Sequence, residues 1–381
     1  MKKLGLYVHL PFCKSKCLYC DFCSFPHPKT ETMEEYVFGG LEKEILRWAE
    51  RIRALDEPVE VDTVYFGGGT PTLLPQDLLS WILERLDSQF RVAGDAEITV
   101  ECNPATGSAE AFSALRRAGF NRISLGVQSV HDNELKRLGR RHDFDGFCRT
   151  YEEIRHAGFE NVSVDLMSGI PEQTPESYLQ TLERVCDLAP EHISAYGLIV
   201  EEGTSFATLQ SRGQLILPDE EITRQMYFDG IDYLTKRGYR QYEISNFAKA
   251  GYESRHNLKY WNCDEYLGFG LAAYSDFLGA RFGNSRDLDA YIEGREILCE
   301  REEPDVTERK NEYVMLRMRL SDGVSARAYA ERFGADFDSA FASKLSRFVD
   351  GGFVRKTEDG YAFTPQGMYV SNAILSEILE F

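Results

Sequence analysis

Three cysteines near the amino terminus have the spacing of ligands to a metal centre. Cys13, Cys17 and Cys20 are separated by three and then two residues, within the segment YVHLPFCKSKCLYCDFC. Thiolates at this spacing suit a loop that wraps one face of a cuboidal iron–sulfur cluster, for which cysteine is the usual ligand. Three ligands on four irons leave one iron open to a cofactor or substrate. The spacing therefore favours a [4Fe–4S] cluster with chemistry of its own.

Zinc is the alternative occupant of this segment. Cys23 could close a tetrahedron with the other three thiols, and His27 is a spare ligand. Well-separated Cys-x-x-Cys pairs, which are typical of structural zinc sites, are absent from the sequence. The other five cysteines are scattered, and we interpret them as buried small apolar side chains. They are Cys102, Cys148, Cys186, Cys263 and Cys299.

The elements that must position these cysteines form a repeat of strand-like and helix-like stretches. Six apolar, β-rich stretches are predicted to be strands: Gly5–His9, Asp62–Phe66, Glu97–Cys102, Ile123–Gln128, Ser163–Met167 and His192–Leu198. Stretches of helical period lie between them, near 33–53, 75–87, 108–118, 131–157 (broken near 140) and 175–188. Strand and helix in alternation predict parallel strands joined by crossover helices.

Unusual residues fall near or just past the ends of these strands. They are Cys13, Gly67 to Thr70, Glu101, Gln128 and Asp165. The carboxyl ends of parallel strands meet at one edge of a sheet, so a barrel-like sheet would bring these residues to a shared mouth. Six units do not complete the eight of a closed barrel, and the sequence predicts an α/β fold with a partial (β/α)6 barrel.

The last third of the chain has a different pattern. A helix near 219–237 and a strand over Tyr239–Ser245 extend the sheet, and 246–300 has weak periodicity. Helices near 308–320, 326–333 and 338–349 precede a hairpin of Phe353–Lys356 and Tyr361–Thr364, and a final helix fits Pro365–Leu379. Helices followed by a hairpin resemble a small winged-helix domain. We predict a barrel over 1–245, a connecting region over 246–303 and a winged-helix-like α+β domain over 304–381.

Composition limits the classes of partner. The chain of 381 residues has 62 acidic and 43 basic residues and a formal charge of −19. Such a surface repels nucleic acid phosphates unless basic residues cluster, and we find no cluster, so no nucleic acid partner is expected. No apolar run is long enough to cross a bilayer, and the amino terminus is a poor secretory signal. We expect a cytoplasmic protein.

The cysteine segment resembles the signature of radical S-adenosylmethionine proteins, because Cys13-x3-Cys17-x2-Cys20 has an aromatic residue just before the last cysteine. More narrowly, the chain is similar to the oxygen-independent coproporphyrinogen III oxidase superfamily and, within it, to the HemW-type haem chaperones. The similarity runs nearly end to end, through GGGTPT from Gly67, ECNP from Glu101, SLGVQS from Ser124, DLMSGIP from Asp165, YEISNFA from Tyr242 and HNLKYW from His256.

This resemblance implies a [4Fe–4S] cluster on Cys13, Cys17 and Cys20, with S-adenosylmethionine chelating the open iron and cleaved after one-electron reduction. It also implies which residues contact the cofactor. Gly67, Gly68, Gly69 and Thr70 would lie beside the methionine moiety, and Tyr7 would lie against cluster and cofactor. Asp165 would hold ribose hydroxyls and Arg140 would pair with a carboxylate. Glu101 and Gln128 complete the family's polar contacts.

Two departures separate the chain from the oxidases of the superfamily. The oxidases carry a fourth cysteine two residues after the third, where this chain has Phe22. They also resemble one another in a long segment ahead of the cluster, whereas only twelve residues precede Cys13 here. We therefore predict a haem chaperone that delivers haem to an acceptor protein, for which a membrane protein is one candidate. The alternative is the oxidase, a porphyrin-biosynthesis enzyme that decarboxylates coproporphyrinogen III, so enzyme activity stays open.

His256-Asn-x-x-Tyr260 resembles the haem-binding motif proposed for the chaperone branch. Imidazole is a common axial ligand of haem iron, and a nearby tyrosine could add a hydrogen bond or a second ligand. The alternative is a histidine that only hydrogen-bonds within the protein. We predict His256 and Tyr260 as haem ligands.

Overall fold

The computed structural model describes residues 1–379 and contains one twelve-stranded mixed sheet. Its centre holds the six predicted strands: β1 (Lys2–Leu10), β2 (Val59–Gly68), β3 (Val92–Cys102), β4 (Arg122–Gln128), β5 (Asn161–Ser168) and β6 (His192–Gly197). Strands that follow one another in the chain are neighbours in the sheet, and every such pair is parallel. The prediction of six parallel strands in sequence order is confirmed.

Helices cover the outer side of these strands. They span Thr30–Glu34, Glu42–Arg53 (with the π-helical turn Glu35–Leu41 between the two), the 3₁₀ turn Pro71–Leu73, Gln76–Gln89, Ala109–Ala118, Asp132–Arg137, Phe144–His156 and Pro175–Asp187. The predicted break near 140 is present, since Gly139 has a positive φ of 76° after the helix Asp132–Arg137. The helices bury residues three or four positions apart, as Phe147, Tyr151 and Ile154 show.

Strand β4 shows how the sheet separates an apolar outer layer from a polar interior. All seven of its residues are buried. Ile123, Leu125 and Val127 belong to the main hydrophobic core, whereas the alternate residues Arg122 and Ser124 line a cavity on the other side. Because successive side chains of a strand point to opposite faces, a sheet covered by helices directs its polar residues inward.

The region after β6 extends both edges of the sheet. Two short antiparallel strands, β7 (Arg240–Gln241) and β8 (Asn246–Ala248), join the β6 edge. At the other edge, β9 (Tyr266–Phe269) lies parallel to β1 and is followed by three antiparallel strands, β10 (Tyr274–Phe277), β11 (Ala280–Asn284) and β12 (Leu298–Glu302). Four helices accompany them: Ser205–Ser211, Glu220–Lys236, Arg255–Trp261 and Leu288–Ile292.

This extension differs from the sequence-based expectation. Of the predicted strand Tyr239–Ser245, only Arg240–Gln241 is a strand, and the next strand, Asn246–Ala248, begins after it. The region of weak periodicity holds most of a four-stranded extension. Strands of four or five residues give too few alternations to be recognised from periodicity.

The carboxyl-terminal region has a core of its own. Its helices are Val306–Arg317, Ala326–Phe333, Phe337–Asp350, Pro365–Tyr369 and Ser371–Ile378, and its sheet has β13 (Val324–Ser325), β14 (Val354–Thr357) and β15 (Gly360–Phe363). The predicted final helix is interrupted at Val370. Buried residues from Tyr313 to Leu379 form a cluster separate from the main core, whose members run from Leu4 to Ile297. The domain limits at 245/246 and 303/304 stay predictions. Glu380 and Phe381 lie outside the described residues.

Within residues 1–379, no helix combines the length and the apolar character that a membrane span requires.

Candidate functional site

The cysteine segment is a loop that follows β1 and is closed at its base. Phe12–Cys13 pairs in parallel with Phe25–Pro26, and the N–H of His27 donates to the carbonyl of Cys13 at 3.0 Å. The middle of the loop is tied to the segment after β4, because the N–H of Leu18 donates to the carbonyl of Leu138 at 3.0 Å. The loop is thereby held over the carboxyl ends of the strands.

The three cysteines are half-buried and line one cavity of about 350 Å³. The same cavity is lined by seven other residues that the sequence singled out: Gly68, Gly69, Thr70, Glu101, Gln128, Arg140 and Asp165. Of the predicted cofactor contacts, Tyr7 and Gly67 lie beside this lining and touch each other, since a Cβ built on Gly67 would lie 3.0 Å from the Tyr7 ring. The structure thus brings the predicted strand-end residues together.

The thiols of Cys13 and Cys17 have polar neighbours suited to a negatively charged cluster. The Thr70 hydroxyl lies 3.6 Å from Cys13 Sγ, and Arg140 Nη1 lies 3.7 Å from Cys17 Sγ. A guanidinium beside a thiolate stabilises its charge. Cys23, by contrast, is 8% exposed and packed in the main core.

The zinc alternative needs four ligands around one ion. Across the described chain, no group of three His, Cys, Asp or Glu side chains is placed to hold a single metal ion. A cuboidal cluster binds its ligands on separate irons, and Cys23, the fourth thiol that a zinc tetrahedron would need, is buried in the main core.

Arg140 is the centre of a hydrogen-bond network around the cysteine loop. It donates to Asn103 Oδ1 at 2.6 Å and to the carbonyl of Gly126, and Asn103 Nδ2 donates to Thr70 Oγ1 at 2.8 Å. These bonds fix both Arg140 and Thr70 beside the thiols. Asn103 was not singled out from the sequence, although it directly follows β3 and the strand-end rule could have found it.

Asp165 and Gln128 are each hydrogen-bonded to a side chain on another strand among β4, β5 and β6. Ser124 Oγ lies 3.1 and 3.2 Å from the two carboxylate oxygens of Asp165, and burial raises the pKa of this carboxyl. Tyr196 donates to Gln128 Oε1 at 2.8 Å. Gln128 has a φ of 73°, a conformation that few residues other than glycine adopt and that is typical of functional sites. Tyr196 also follows the strand-end rule and was missed.

Glu101 lies deeper in the cavity wall. It accepts hydrogen bonds from the Tyr65 hydroxyl at 2.8 Å and from the N–H of Gly68 at 3.2 Å. Burial raises the pKa of the Glu101 carboxyl to about 7, partly offset by these donors. The carboxyl therefore changes its protonation state near neutral pH.

The glycines of GGGTPT are required by the protein's own packing. Gly68 has a φ of 111°, and a Cβ there would lie 2.6 Å from the ring of His9. A Cβ on Gly69 would lie 2.6 Å from the carbonyl oxygen of Phe12. The turn after β2 therefore fits against the start of the cysteine loop only with glycine at these positions.

His256 and Tyr260 lie in the helix Arg255–Trp261 and are not part of the lining of the cavity that holds Cys13, Cys17 and Cys20. His256 is 1% exposed, and both ring nitrogens have partners at 2.8 Å, Thr63 Oγ1 at Nδ1 and the Tyr260 hydroxyl at Nε2. Burial lowers the pKa of His256 to about 3, which keeps the ring neutral. In this conformation the imidazole is held inside the protein and is not presented to a ligand.

Glu97 anchors this helix to the sheet. Its carboxylate accepts hydrogen bonds from the N–H groups of Arg255 and His256 at 3.1 and 3.0 Å. A carboxylate at a helix amino terminus is favoured by the helix dipole. The next helix residue, Asn257, lines the cavity that holds the cysteines.

Comparison with known proteins agrees with this geometry. Residues 7–185 match the Radical SAM superfamily, and residues 305–370 match the HemN C-terminal domain. The chain is 36% identical to the heme chaperone HemW of Bacillus subtilis, with 98% of each chain covered. It is 33% identical to the heme chaperone HemW of Escherichia coli, with 99% of this chain and 98% of the relative covered. The chain belongs to the HemW family.

A solved structure shows the same fold. Coproporphyrinogen III oxidase (HemN) of Escherichia coli, described as a radical SAM enzyme, superimposes with a TM-score of 0.85 at 24% identity. The match covers 99% of this chain and 90% of that one. The radical SAM type of α/β fold predicted from the sequence is confirmed, and the likeness at this identity concerns the fold alone.

Proposed function

We propose that this protein is a cytoplasmic haem chaperone that carries a [4Fe–4S] cluster on Cys13, Cys17 and Cys20, binds S-adenosylmethionine beside it and delivers haem to an acceptor protein. Family membership supports haem as the ligand, because the HemW relatives are named heme chaperones. The single observation that carries the cofactor part is the shared cavity, which is lined by three thiols and by residues of five strands, β2 to β6.

The residues of the cavity fit the two cofactors. When bound, the cluster supplies one-electron redox chemistry to the sulfonium compound. Arg140 is fixed by Asn103 for pairing with a carboxylate, and Asp165 has acceptor oxygens suited to ribose hydroxyls. Glu101, held by Tyr65, adds a carboxyl whose charge depends on pH near neutrality.

Haem ligation by His256 and Tyr260 remains part of the proposal and carries a structural requirement. His256 would have to exchange its bonds to Thr63 and Tyr260 for iron, so the helix Arg255–Trp261 would have to move. Tyr260 is half-buried and borders two further cavities, of about 360 and 260 Å³. Tyr260 is therefore the more accessible of the two residues.

The cluster is tested by single Cys→Ser variants at 13, 17 and 20, with Cys23→Ser as the matched control. After anaerobic reconstitution, we expect iron content and the electron paramagnetic resonance signal to fall in the three variants and to persist in the control. S-adenosylmethionine should change the spectrum of the reduced wild-type protein. Iron retained when all three ligands are serine would contradict the cluster site.

Haem delivery is tested against the oxidase alternative in one preparation. The reconstituted protein should bind haem stoichiometrically and restore a haem-depleted acceptor protein. It should release no protoporphyrinogen when given coproporphyrinogen III, S-adenosylmethionine and a reductant. Catalytic turnover of coproporphyrinogen III would overturn the chaperone and establish the oxidase.

A further inference from the structure

Arg122 is a buried arginine whose side chain has no hydrogen-bond or ion-pair partner in the described part of the chain. It is the first residue of β4, is 2% exposed and lines the cavity that holds the cysteines. Its Nε atom has no hydrogen-bond partner, and its side chain forms no hydrogen bond or ion pair with any residue from 1 to 379. A buried charge that lacks a partner is costly, so its retention calls for an explanation.

Other largely buried arginines of the chain are paired. Arg140 donates to Asn103 and to a backbone carbonyl. Arg317 donates to Asn262 and to the carbonyl of Gly323 at 2.9 Å. Arg155 donates to the Tyr151 hydroxyl and forms a salt bridge of 2.8 Å with Glu191. The Nε atoms of Arg140 and Arg317 also lack a partner, so Arg122 differs from these arginines in having no partner at its Nη atoms either.

Two carboxyl groups on which the charge of Arg122 acts are occupied by other donors. Burial raises the pKa of both Glu101 and Asp165, and the charge of Arg122 offsets part of that rise, yet neither carboxylate forms a salt bridge with it. Glu101 accepts from Tyr65 and Gly68, and Asp165 accepts from Ser124 on the same strand as Arg122. These two carboxylates are thus engaged by neutral donors, and the guanidinium is left facing the cavity.

The histidine near Arg122 is also paired. His192 Nδ1 lies 2.8 Å from Ser163 Oγ, and its Nε2 lies 2.9 Å from the Tyr242 hydroxyl. His192, like His256, is buried and has its pKa lowered by burial and by the charge of Arg122. The residues that pair with Arg122 in the neighbouring strands, Thr99 and Asn161, carry buried oxygens that also lack a hydrogen-bond partner, and neither oxygen is bonded to the guanidinium.

We propose that Arg122 is an inner carboxylate subsite of the cavity, which binds one propionate of a tetrapyrrole. The inference rests on the proposed function, since haem is the ligand that brings the carboxylate. The planar guanidinium presents two parallel N–H donors that match a carboxylate. Arg122 and Gln128 are the two ends of β4, about 20 Å apart at ~3.3 Å per residue. The subsite therefore lies toward the amino-terminal ends of the strands, whereas Arg140 lies beside Cys17.

The test compares haem with haem dimethyl ester, in which both propionates are esterified. Each is titrated into the full-length protein and followed by absorbance, for wild type, Arg122→Met and the matched control Arg117→Met. Arg117 is exposed at the end of the helix Ala109–Ala118. We expect wild type and the control to bind haem about tenfold tighter than the diester. Arg122→Met should bind the two equally, with its affinity for the diester unchanged.

Two further measurements separate the alternatives. The affinity for S-adenosylmethionine should be the same in Arg122→Met as in wild type. If Arg122→Met instead binds S-adenosylmethionine more weakly and keeps the preference for haem over the diester, Arg122 binds the carboxylate of the cofactor and the proposal is overturned. The melting temperature of ligand-free Arg122→Met should be unchanged or higher, because an uncompensated buried charge is removed. A clear fall would make Arg122 a structural residue.

The outcomes also distinguish this inference from the proposed function. Wild type that binds haem and the diester equally, or an Arg122→Met variant that keeps the preference for haem, would overturn the subsite and leave the chaperone standing. Wild type that binds neither compound would overturn both.

Discussion

At the scale of single residues, burial shifts the pKa of an acid that lines the cavity and of a nearby histidine in opposite directions. Burial raises the pKa of Glu101 to about 7 and lowers that of His256 to about 3. Both shifts favour the neutral form, as expected where charge is separated from water. Burial thereby favours the uncharged forms of Glu101 and His256, whereas the guanidinium of Arg140 lies beside Cys17.

Glu101→Gln is expected to change how stability depends on pH. The folded protein keeps the Glu101 proton up to about pH 7, whereas the unfolded chain releases it near 4.5. The stabilisation from this proton is full below pH 4.5 and is lost as pH rises through 7. Because glutamine stays neutral, the variant should be more stable than wild type at pH 8, by about 1–3 kcal/mol, with a smaller difference at pH 5.

Denaturant unfolding at both pH values measures this effect on ligand-free protein. The control is Glu84→Gln, on the exposed side of the helix Gln76–Gln89, which should leave the pH dependence unchanged. A stability difference between Glu101→Gln and wild type that is the same at pH 5 and pH 8 would refute the raised pKa.

At the scale of elements, the short helix Arg255–Trp261 is defined by its attachment to the sheet. Ser254 caps its amino terminus, with the hydroxyl accepting from the N–H of Asn257 at 3.4 Å, and Glu97 accepts from its first two N–H groups. A seven-residue helix has little stability alone, so these contacts hold it in place. The helix packs inside the sheet and carries Asn257 into the cavity.

His256→Ala and Tyr260→Phe should separate a structural role from haem ligation. His256→Ala removes a buried ring and two hydrogen bonds, and we expect the free energy of unfolding to fall by about 2–4 kcal/mol. Tyr260→Phe keeps the imidazole and leaves its Nε2 unpaired, for a loss of about 1–2 kcal/mol. Urea unfolding of the ligand-free variants gives both values.

Haem spectra of the same two variants complete the comparison. Loss of haem from His256→Ala with full retention in Tyr260→Phe would support His256 as a ligand. If His256→Ala unfolds like wild type, the imidazole is not packed as the structure shows, and the buried position would be wrong.

At the scale of the whole molecule, the carboxyl-terminal region is attached to the sheet extension through charged pairs. Arg309 binds both carboxylate oxygens of Asp276, one of them at 3.0 Å, and Arg281 pairs with Glu312. Asp276 and Arg281 lie on neighbouring strands β10 and β11. Bidentate pairs of this kind fix orientation as well as distance.

A double-mutant cycle on Asp276 and Arg309 measures this attachment. With Asp276→Asn and Arg309→Gln, we expect a coupling energy of about 1–2 kcal/mol, because both side chains are largely buried. The exposed pair Arg301 and Glu303 is the control, and its coupling should be near zero. Equal coupling in the two pairs would show that the carboxyl-terminal region is not held by this contact.

The alternation of sequence patterns determined the six parallel strands and the positions of the residues at their ends. Cys13, Thr70, Glu101, Gln128 and Asp165 could be grouped in advance because parallel strands share one carboxyl edge. Asn103 and Tyr196 follow the same rule and could have been included. The short strands β9 to β12 could not be recognised, since four or five residues carry too little periodicity.

Tertiary structure alone decided which polar residues are paired. The sequence motif presents His256 as a ligand, but packing against Thr63 and Tyr260 places it inside the protein. Likewise, nothing in RISLGVQ distinguishes Arg122 from a surface arginine at a strand start. Pairing depends on groups that are distant in the chain and meet only after folding. For this reason the unpaired guanidinium that lines the cavity is visible in the structure and not in the sequence.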